Sequence, residues 1–158
     1  VIEKEVTWHS FEYDCQKLAK DIKDSNLKIS TLIAIARGGL FVSGYLGHLL
    51  GINDIRVVCL KSYANKTQGN LECLFLSDFD PKTSLVVDDL VDTGRTLAYL
   101  TKLKNSELIT SVLYYKRTSS YIPTFFAEKV DPDCWINFPW ELQIKNEQTS
   151  YRHGRTDF

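Results

Sequence analysis

The chain has 158 residues, 44% of them hydrophobic and 25% charged, a length and composition suited to one domain with a core of its own. Its 19 Lys and Arg against 20 Asp and Glu leave a formal charge of −1, so no global basic field draws it to nucleic acid or anionic lipid. Any anion it binds has to be held by a local site. The longest apolar stretches fall short of a membrane span and the N-terminus lacks a signal-peptide layout, so a cytoplasmic protein is expected, with peripheral membrane association left open. Met is absent even from position 1, as expected of an N-terminus that is trimmed or not fully represented. Cys15, Cys59, Cys73 and Cys134 lie far apart, without a CxxC pair or a nearby histidine, and are expected as reduced, mostly buried thiols.

In chain order, Phe11, Cys15, Leu18, Ala19 and Ile22 fall at helical spacing behind a cap at Thr7 or Ser10, predicting an amphipathic first helix. "TLIAIA", Thr31 to Ala36, is an unbroken apolar run of strand length. It ends in "RGG", read as a tight loop before a helix through "LFVSGYLGHLL" with Gly51 as its C-cap. "DIRVVCLKSY" predicts a second strand, and the polar "ANKTQGN" a mobile loop before "LECLFL". "TSLVVDD" predicts a third buried strand, and "TGRTLAYLTKLKN" a helix with Leu97, Leu100 and Leu103 along one face. "LITSVLYYK", Leu108 to Lys116, supplies another strand. Buried strands alternating with helices predict an α/β fold: a mainly parallel central sheet flanked by helices on both faces. Ligands of such sheets bind at the C-terminal strand ends, where "RGG", "DDLVDTGRT" and "YYK" occur. The polar tail, 143–158, is expected to be loosely ordered or held by another subunit.

The stretch "LVVDDLVDTGRTL" concentrates the chemistry. Asp88, Asp89 and Asp92 aim carboxylates at one place, where a packed core gains nothing from them. A polyhydroxylated, metal-bound or phosphorylated ligand would explain the pair. "DTGRT" then offers Gly94 for an unusual backbone angle, the hydroxyls of Thr93 and Thr96, and N–H groups at a helix start, which together make a phosphate cradle. The plainer alternative is an acidic pair that solvates a strand end, with Asp92 as a helix cap. The pattern is neither GxxxxGK[ST] nor GxGxxG, so a nucleoside-triphosphate motor or a dinucleotide enzyme lacks support.

"VVDDLVDTGRT" resembles the phosphoribosyl pyrophosphate (PRPP) motif of the type I phosphoribosyltransferases. "ARGGL" looks like their pyrophosphate loop, and "YYK" like the strand carrying a purine-contacting lysine. "DCWINFPWE" resembles the C-terminal hood of the bacterial xanthine-guanine subfamily. The resemblance extends from about Val6 to Glu141 and implies one phosphoribosyltransferase domain over 1–158, with hood elements near 130–142.

That resemblance implies transfer of the 5-phosphoribosyl group of PRPP to N9 of a 6-oxopurine (guanine, xanthine or hypoxanthine), with Mg²⁺ as cofactor. Asp88 and Asp89 would serve the ribose hydroxyls and the metal. Within the PRPP loop from Asp92, residues Thr93, Gly94, Arg95 and Thr96 would hold the 5-phosphate. Arg37, with the N–H groups of Gly38 and Gly39, would bind pyrophosphate and stabilise the leaving group. Asp92 would handle the proton near N7, and Lys116 would donate to the O6 and N7 edge. Trp135 would stack on the purine, and Ile136 would offer only backbone groups to the N1 and N2 edge. The Ala36–Arg37 peptide would adopt a cis form, as in the resembling loops. Three departures stand out. Ala36 replaces a small hydroxyl residue, and Thr67 to Asn70 lacks an arginine that Lys66 would replace. Asn137 occupies a position where some xanthine-accepting relatives carry an acid, which leaves base preference open. His9, His48 and His153 fit no catalytic or metal spacing and are expected to be structural or exposed. The expected partners are PRPP, a purine and further copies of the chain, as a dimer or tetramer, without nucleic acid. The alternatives are an RNA-binding regulatory protein on the same fold and a transferase for another base, such as orotate or adenine; Lys116 and the Trp135 segment disfavour the latter.

Overall fold

The computed structural model describes residues 2–63 and 70–141. Of the predicted loop "ANKTQGN", residues 64–69 with Lys66 lie outside the described residues, while the last, Asn70, belongs to a strand; the tail with His153 lies outside them as well. The elements are β1 (Ile2–Glu5), α1 (Trp8–Asp24), β2 (Thr31–Ala36), α2 (Gly38–Leu50), β3 (Asp54–Tyr63), β4 (Asn70–Leu76), β5 (Ser84–Val91), α3 (Arg95–Lys104), β6 (Ile109–Lys116), β7 (Phe125–Val130) and β8 (Cys134–Asn137).

A six-stranded sheet runs in the order β4-β3-β2-β5-β6-β7, and a two-stranded sheet joins β1 to β8. Every pairing is parallel except that of β3 with β4. The buried strands read as continuous apolar runs because helices cover both faces. Side-chain alternation sorts them. Leu32, Leu85, Val87 and Leu113 face α1 and α2, and join Phe11, Leu18 and Leu46 in one core cluster. Ile33, Ile35, Val86 and Val112 face the other way and pack with Leu97 and Leu100 of α3.

Both cap candidates of α1 are used, since Thr7 Oγ1 accepts from the Ser10 N–H at 3.1 Å while Ser10 Oγ accepts from the Thr7 N–H at 2.9 Å. Gly51 closes α2 in the left-handed region, at φ 69°. Four sequence expectations are corrected. The glycines of "RGG" are the first turn of α2 and not a loop. Strand β5 continues past the acidic pair to Val91. Leu103 is 44% exposed, because the sheet contact of α3 is made by the preceding turns. All four cysteines are free, but Cys59 and Cys73 are only half-buried.

The parallel register brings the C-terminal ends of β2, β5 and β6 to one side of the sheet. Over that side stands the hood, in which β1 and β8 pair with Glu3 opposite Trp135 and Glu5 opposite Asn137. Lys4 anchors β1 to the main sheet by an ion pair with Glu128 of β7 at 2.8 Å, and its ammonium lies 5.3 Å from the Tyr114 ring centroid.

Candidate functional site

The acidic pair sits in the last half of β5, half-buried. Asp89 shares the sheet face of Val87, toward α2, and Asp88 the opposite face, but the Asp89 N–H donates to Asp88 Oδ1 at 2.9 Å and couples them. Withdrawal from water raises the Asp88 carboxyl well above the usual carboxylate range, and the neighbouring Asp89 charge adds to the effect. Asp89 is raised as well, first by the same withdrawal and then by Glu141, against a side-chain hydrogen bond with Asp88 and one from the Leu90 backbone, both of which favour its charged form.

The glycine pair of α2 is shaped by these carboxylates. A Cβ at Gly38 would stand 1.9 Å from Asp89 Oδ2, and one at Gly39 would stand 2.4 Å from the Val87 carbonyl oxygen. The helix start therefore lies directly on the acidic strand end, with its first-turn N–H groups at the site. Arg37, the N-cap residue, is exposed beside it and makes no capping bond with its side chain. The Ala36–Arg37 peptide preceding it is cis, as the resemblance implied.

Beyond β5 the chain turns through Asp92 and Thr93 to Gly94, which takes φ 87° and starts α3. Here glycine is needed twice over, since a Cβ would also meet Tyr121 Cβ and Tyr121 N at 2.7 Å. Thr93 Oγ1 accepts weakly from the Arg95 N–H, at 3.4 Å. Arg95 is exposed, Thr96 half-buried. A loop with no recognised sequence signature braces this turn from behind. Ser120 donates to the Thr93 carbonyl through its N–H, at 3.1 Å, and through its hydroxyl, at 2.9 Å. "RTSSY" reads locally as an ordinary polar turn, and only its tertiary position gives it this role.

Lys116 ends β6 next to that loop. Its ammonium lies 3.3 Å from Asp92 Oδ1, with the lysine side chain 14% exposed and the aspartate 62% exposed. The structure thus joins two residues that were singled out separately, one for base contact and one for proton handling.

The hood carries the remaining candidates. Trp135 is 56% exposed and is no core residue; Trp140 is the packed tryptophan, stacked on Phe41 at 4.5 Å and on Phe138 at 4.8 Å. The Ile136 side chain is buried as packing. The Val6 N–H donates to the Asn137 carbonyl, so Asn137 addresses β1 and alternation turns the backbone groups of Ile136 to the outer edge of the hood sheet. Asn137, expected near the base, is 1% exposed with its amide engaged by Trp135, Glu3 and Glu5. His9 and His48 take no part in these contacts.

Asp88 and Asp89 form a pair of hard oxygen donors, and among the described residues no group of three or more His, Cys, Asp or Glu could hold a metal. Such a pair fits Mg²⁺, which keeps waters and takes the rest of its shell from ligand oxygens.

A family described as phosphoribosyl transferase domain matches residues 5–147. The sequence is 31% identical over 140 residues to a xanthine-guanine phosphoribosyltransferase of Chromohalobacter salexigens, covering 88% of this chain and 84% of that protein. Among solved structures, a purine phosphoribosyltransferase of Pyrococcus horikoshii is 28% identical with a TM-score of 0.77, over 88% of this chain and 94% of the other. The xanthine-guanine-hypoxanthine phosphoribosyltransferase of Helicobacter pylori, 24% identical, shares the fold at a TM-score of 0.80 over 92% and 97%.

Proposed function

The chain belongs to the phosphoribosyl transferase family, and from that premise we propose that it salvages purines, joining N9 of a 6-oxopurine to C1 of PRPP and releasing pyrophosphate. The observation that carries this reading is the placing of two pairs at the C-terminal ends of the neighbouring strands β5 and β6: Asp88 with Asp89, whose carboxyl lies against Gly38, and Asp92 with Lys116.

Asp88 and Asp89 accept hydrogen bonds from the ribose 2- and 3-hydroxyls. The same pair would hold Mg²⁺, which would supply charge neutralisation of the pyrophosphate. The turn from Thr93 to Thr96 encloses the 5-phosphate with hydroxyls and the first N–H groups of α3, where the helix dipole favours an anion, and Arg95 adds its positive charge. Arg37 and the N–H groups of Gly38 and Gly39 bind the pyrophosphate and stabilise the charge that grows on it as the C1 bond breaks.

The base lies with its six-membered edge toward Lys116 and Ile136 and its ring on Trp135. Lys116 donates to O6, which a 6-amino group could not accept, and so selects oxopurines. As N9 bonds to C1, Asp92 takes the proton from N7, and Lys116 steadies the carboxylate before the base arrives. Ile136 meets the N1 and N2 edge with backbone groups. The reading includes a cytoplasmic setting and assembly as a dimer or tetramer. Among the described residues no helix is long and apolar enough to cross a membrane.

The test is pyrophosphate release from PRPP and Mg²⁺ with guanine, xanthine and hypoxanthine in turn, beside a salt-dependent RNA-binding titration. Base-dependent release with at least one of the three is expected. Absence of release with all three, together with tight RNA binding that weakens with salt, would replace the enzyme with the regulatory reading.

A further inference from the structure

Asn137 is an unusual residue to bury in a hood strand of four residues, and its environment specifies one orientation. Its Nδ2 donates to Glu3 Oε2 at 3.1 Å and to Glu5 Oε1, both on β1, while its Oδ1 accepts from the Trp135 Nε1–H at 3.2 Å. Carboxylates can only accept and an indole N–H can only donate, so a flipped amide would face repulsion on both sides. The side chain is 1% exposed, whereas the indole that it grips is 56% exposed. A tryptophan at such exposure has few packing contacts to fix its ring, and this hydrogen bond fixes it instead.

We infer that Asn137 is a positioning residue: it locks the plane of Trp135, and the N-terminal strand, through Glu3 and Glu5, holds Asn137 in the state that does so. The inference rests on the reading of Trp135 as the purine platform. It departs from a direct role of Asn137 in choosing among bases, since the amide is engaged by β1 and the indole. The backbone supports the same coupling, because β1 pairs with β8 opposite these residues and the Asn137 carbonyl accepts from the Val6 N–H at 2.9 Å.

Two readouts test it. The first needs no substrate: the indole N–H resonance of Trp135 in a nitrogen-15 spectrum, assigned through Trp135→Phe. In Asn137→Ala that resonance shifts and its exchange with water accelerates. The second is kinetic. Asn137→Ala raises KM for guanine, xanthine and hypoxanthine alike, by about tenfold, while PRPP affinity holds, as expected for one lost buried hydrogen bond that orders the platform. Asn137→Asp keeps an acceptor for the indole but sets a third carboxylate against Glu3 and Glu5, so it weakens base binding further; adding Glu3→Gln and Glu5→Gln to it restores KM. If Asn137→Asp instead re-ranks the three bases and the glutamine changes restore nothing, Asn137 acts on the base itself and the inference is overturned. An unmoved Trp135 resonance in Asn137→Ala would overturn it equally. Unaltered base binding in Trp135→Leu would overturn the platform reading itself and this inference with it, whereas weakened binding in Trp135→Leu beside wild-type KM in Asn137→Ala would overturn the inference alone.

Discussion

Gly38→Ala separates ligand binding from folding at the acidic strand end. The added methyl would begin 1.9 Å from Asp89 Oδ2 and 2.2 Å from its Cγ. To reach an ordinary van der Waals separation the carboxyl must withdraw by roughly 1.5 Å. What moves is the end of a side chain, and alanine is up to about 1 kcal/mol better than glycine inside a helix, so the net change in stability is close to zero. Binding is another matter. A carboxylate turned away from the ribose hydroxyls and the metal forfeits charge-assisted contacts of about 1.5–3 kcal/mol, or roughly ten- to a hundredfold in PRPP affinity. Gly39→Ala provides the contrast. Its methyl would meet the Val87 carbonyl oxygen at 2.4 Å, part of a central strand that cannot swing aside, and overpacking of that kind costs about 1–3 kcal/mol. Urea unfolding and PRPP calorimetry with Mg²⁺ on both variants measure the two effects. If Gly38→Ala bound PRPP as tightly as wild type with stability unchanged, Asp89 would not need its observed position and the argument would fail.

Other perturbations probe the remaining parts. Asp88→Asn combined with Asp89→Asn should lower PRPP affinity about tenfold or more while leaving stability equal or raised, because it relieves two neighbouring carboxylates withdrawn from water; calorimetry and urea midpoints report each. Gly94→Ala should cost about 2 kcal/mol or more, since φ 87° is strained for any side chain and Tyr121 blocks the methyl, and thermal unfolding should show it together with weakened PRPP binding. Burial, with Asp14 beside it, pushes the Cys15 thiol from 9.0 up to about 12. The fold keeps a proton that the unfolded chain releases near pH 9, so this contribution to stability is complete below that pH and is lost as pH rises toward 12. Urea unfolding across that window should give a flatter profile for Cys15→Ala than for wild type.

How much was legible in advance follows from the range of each interaction. β2 and β3 have the bounds that their sequences suggested: β2, covered on both faces, declares itself as an unbroken apolar run, and β3, of which only Val58 is buried among the described side chains, by its β-branched and apolar residues. The loop proposed to hold PRPP was legible because Gly94, its hydroxyl neighbours and the start of α3 are contiguous. β1, β7 and β8 gave no strand signal, being four to six residues long with mixed burial, and β1 exists as a strand only by pairing with a segment near the other end of the chain. "RGG" misled because the requirement for glycine comes from Asp89 and Val87, on a strand distant in sequence. The brace of Ser120 on Thr93, the Lys116–Asp92 pair and the hold of Glu3 and Glu5 on Asn137 are likewise tertiary facts that no local pattern encodes.

The central claim, a 6-oxopurine site built on Lys116 and Trp135 beside a separate PRPP cradle, is tested most directly by kcat/KM for guanine, xanthine and hypoxanthine in wild type, Lys116→Ala and Trp135→Leu, with PRPP affinity measured alongside. Lys116→Ala should lower kcat/KM roughly ten- to a hundredfold for all three bases, the worth of one charge-assisted hydrogen bond that strengthens in the transition state. Trp135→Leu should weaken base binding and leave PRPP affinity nearly intact. Undiminished kcat/KM for all three bases in Lys116→Ala would contradict the account of base recognition, even with the PRPP site intact.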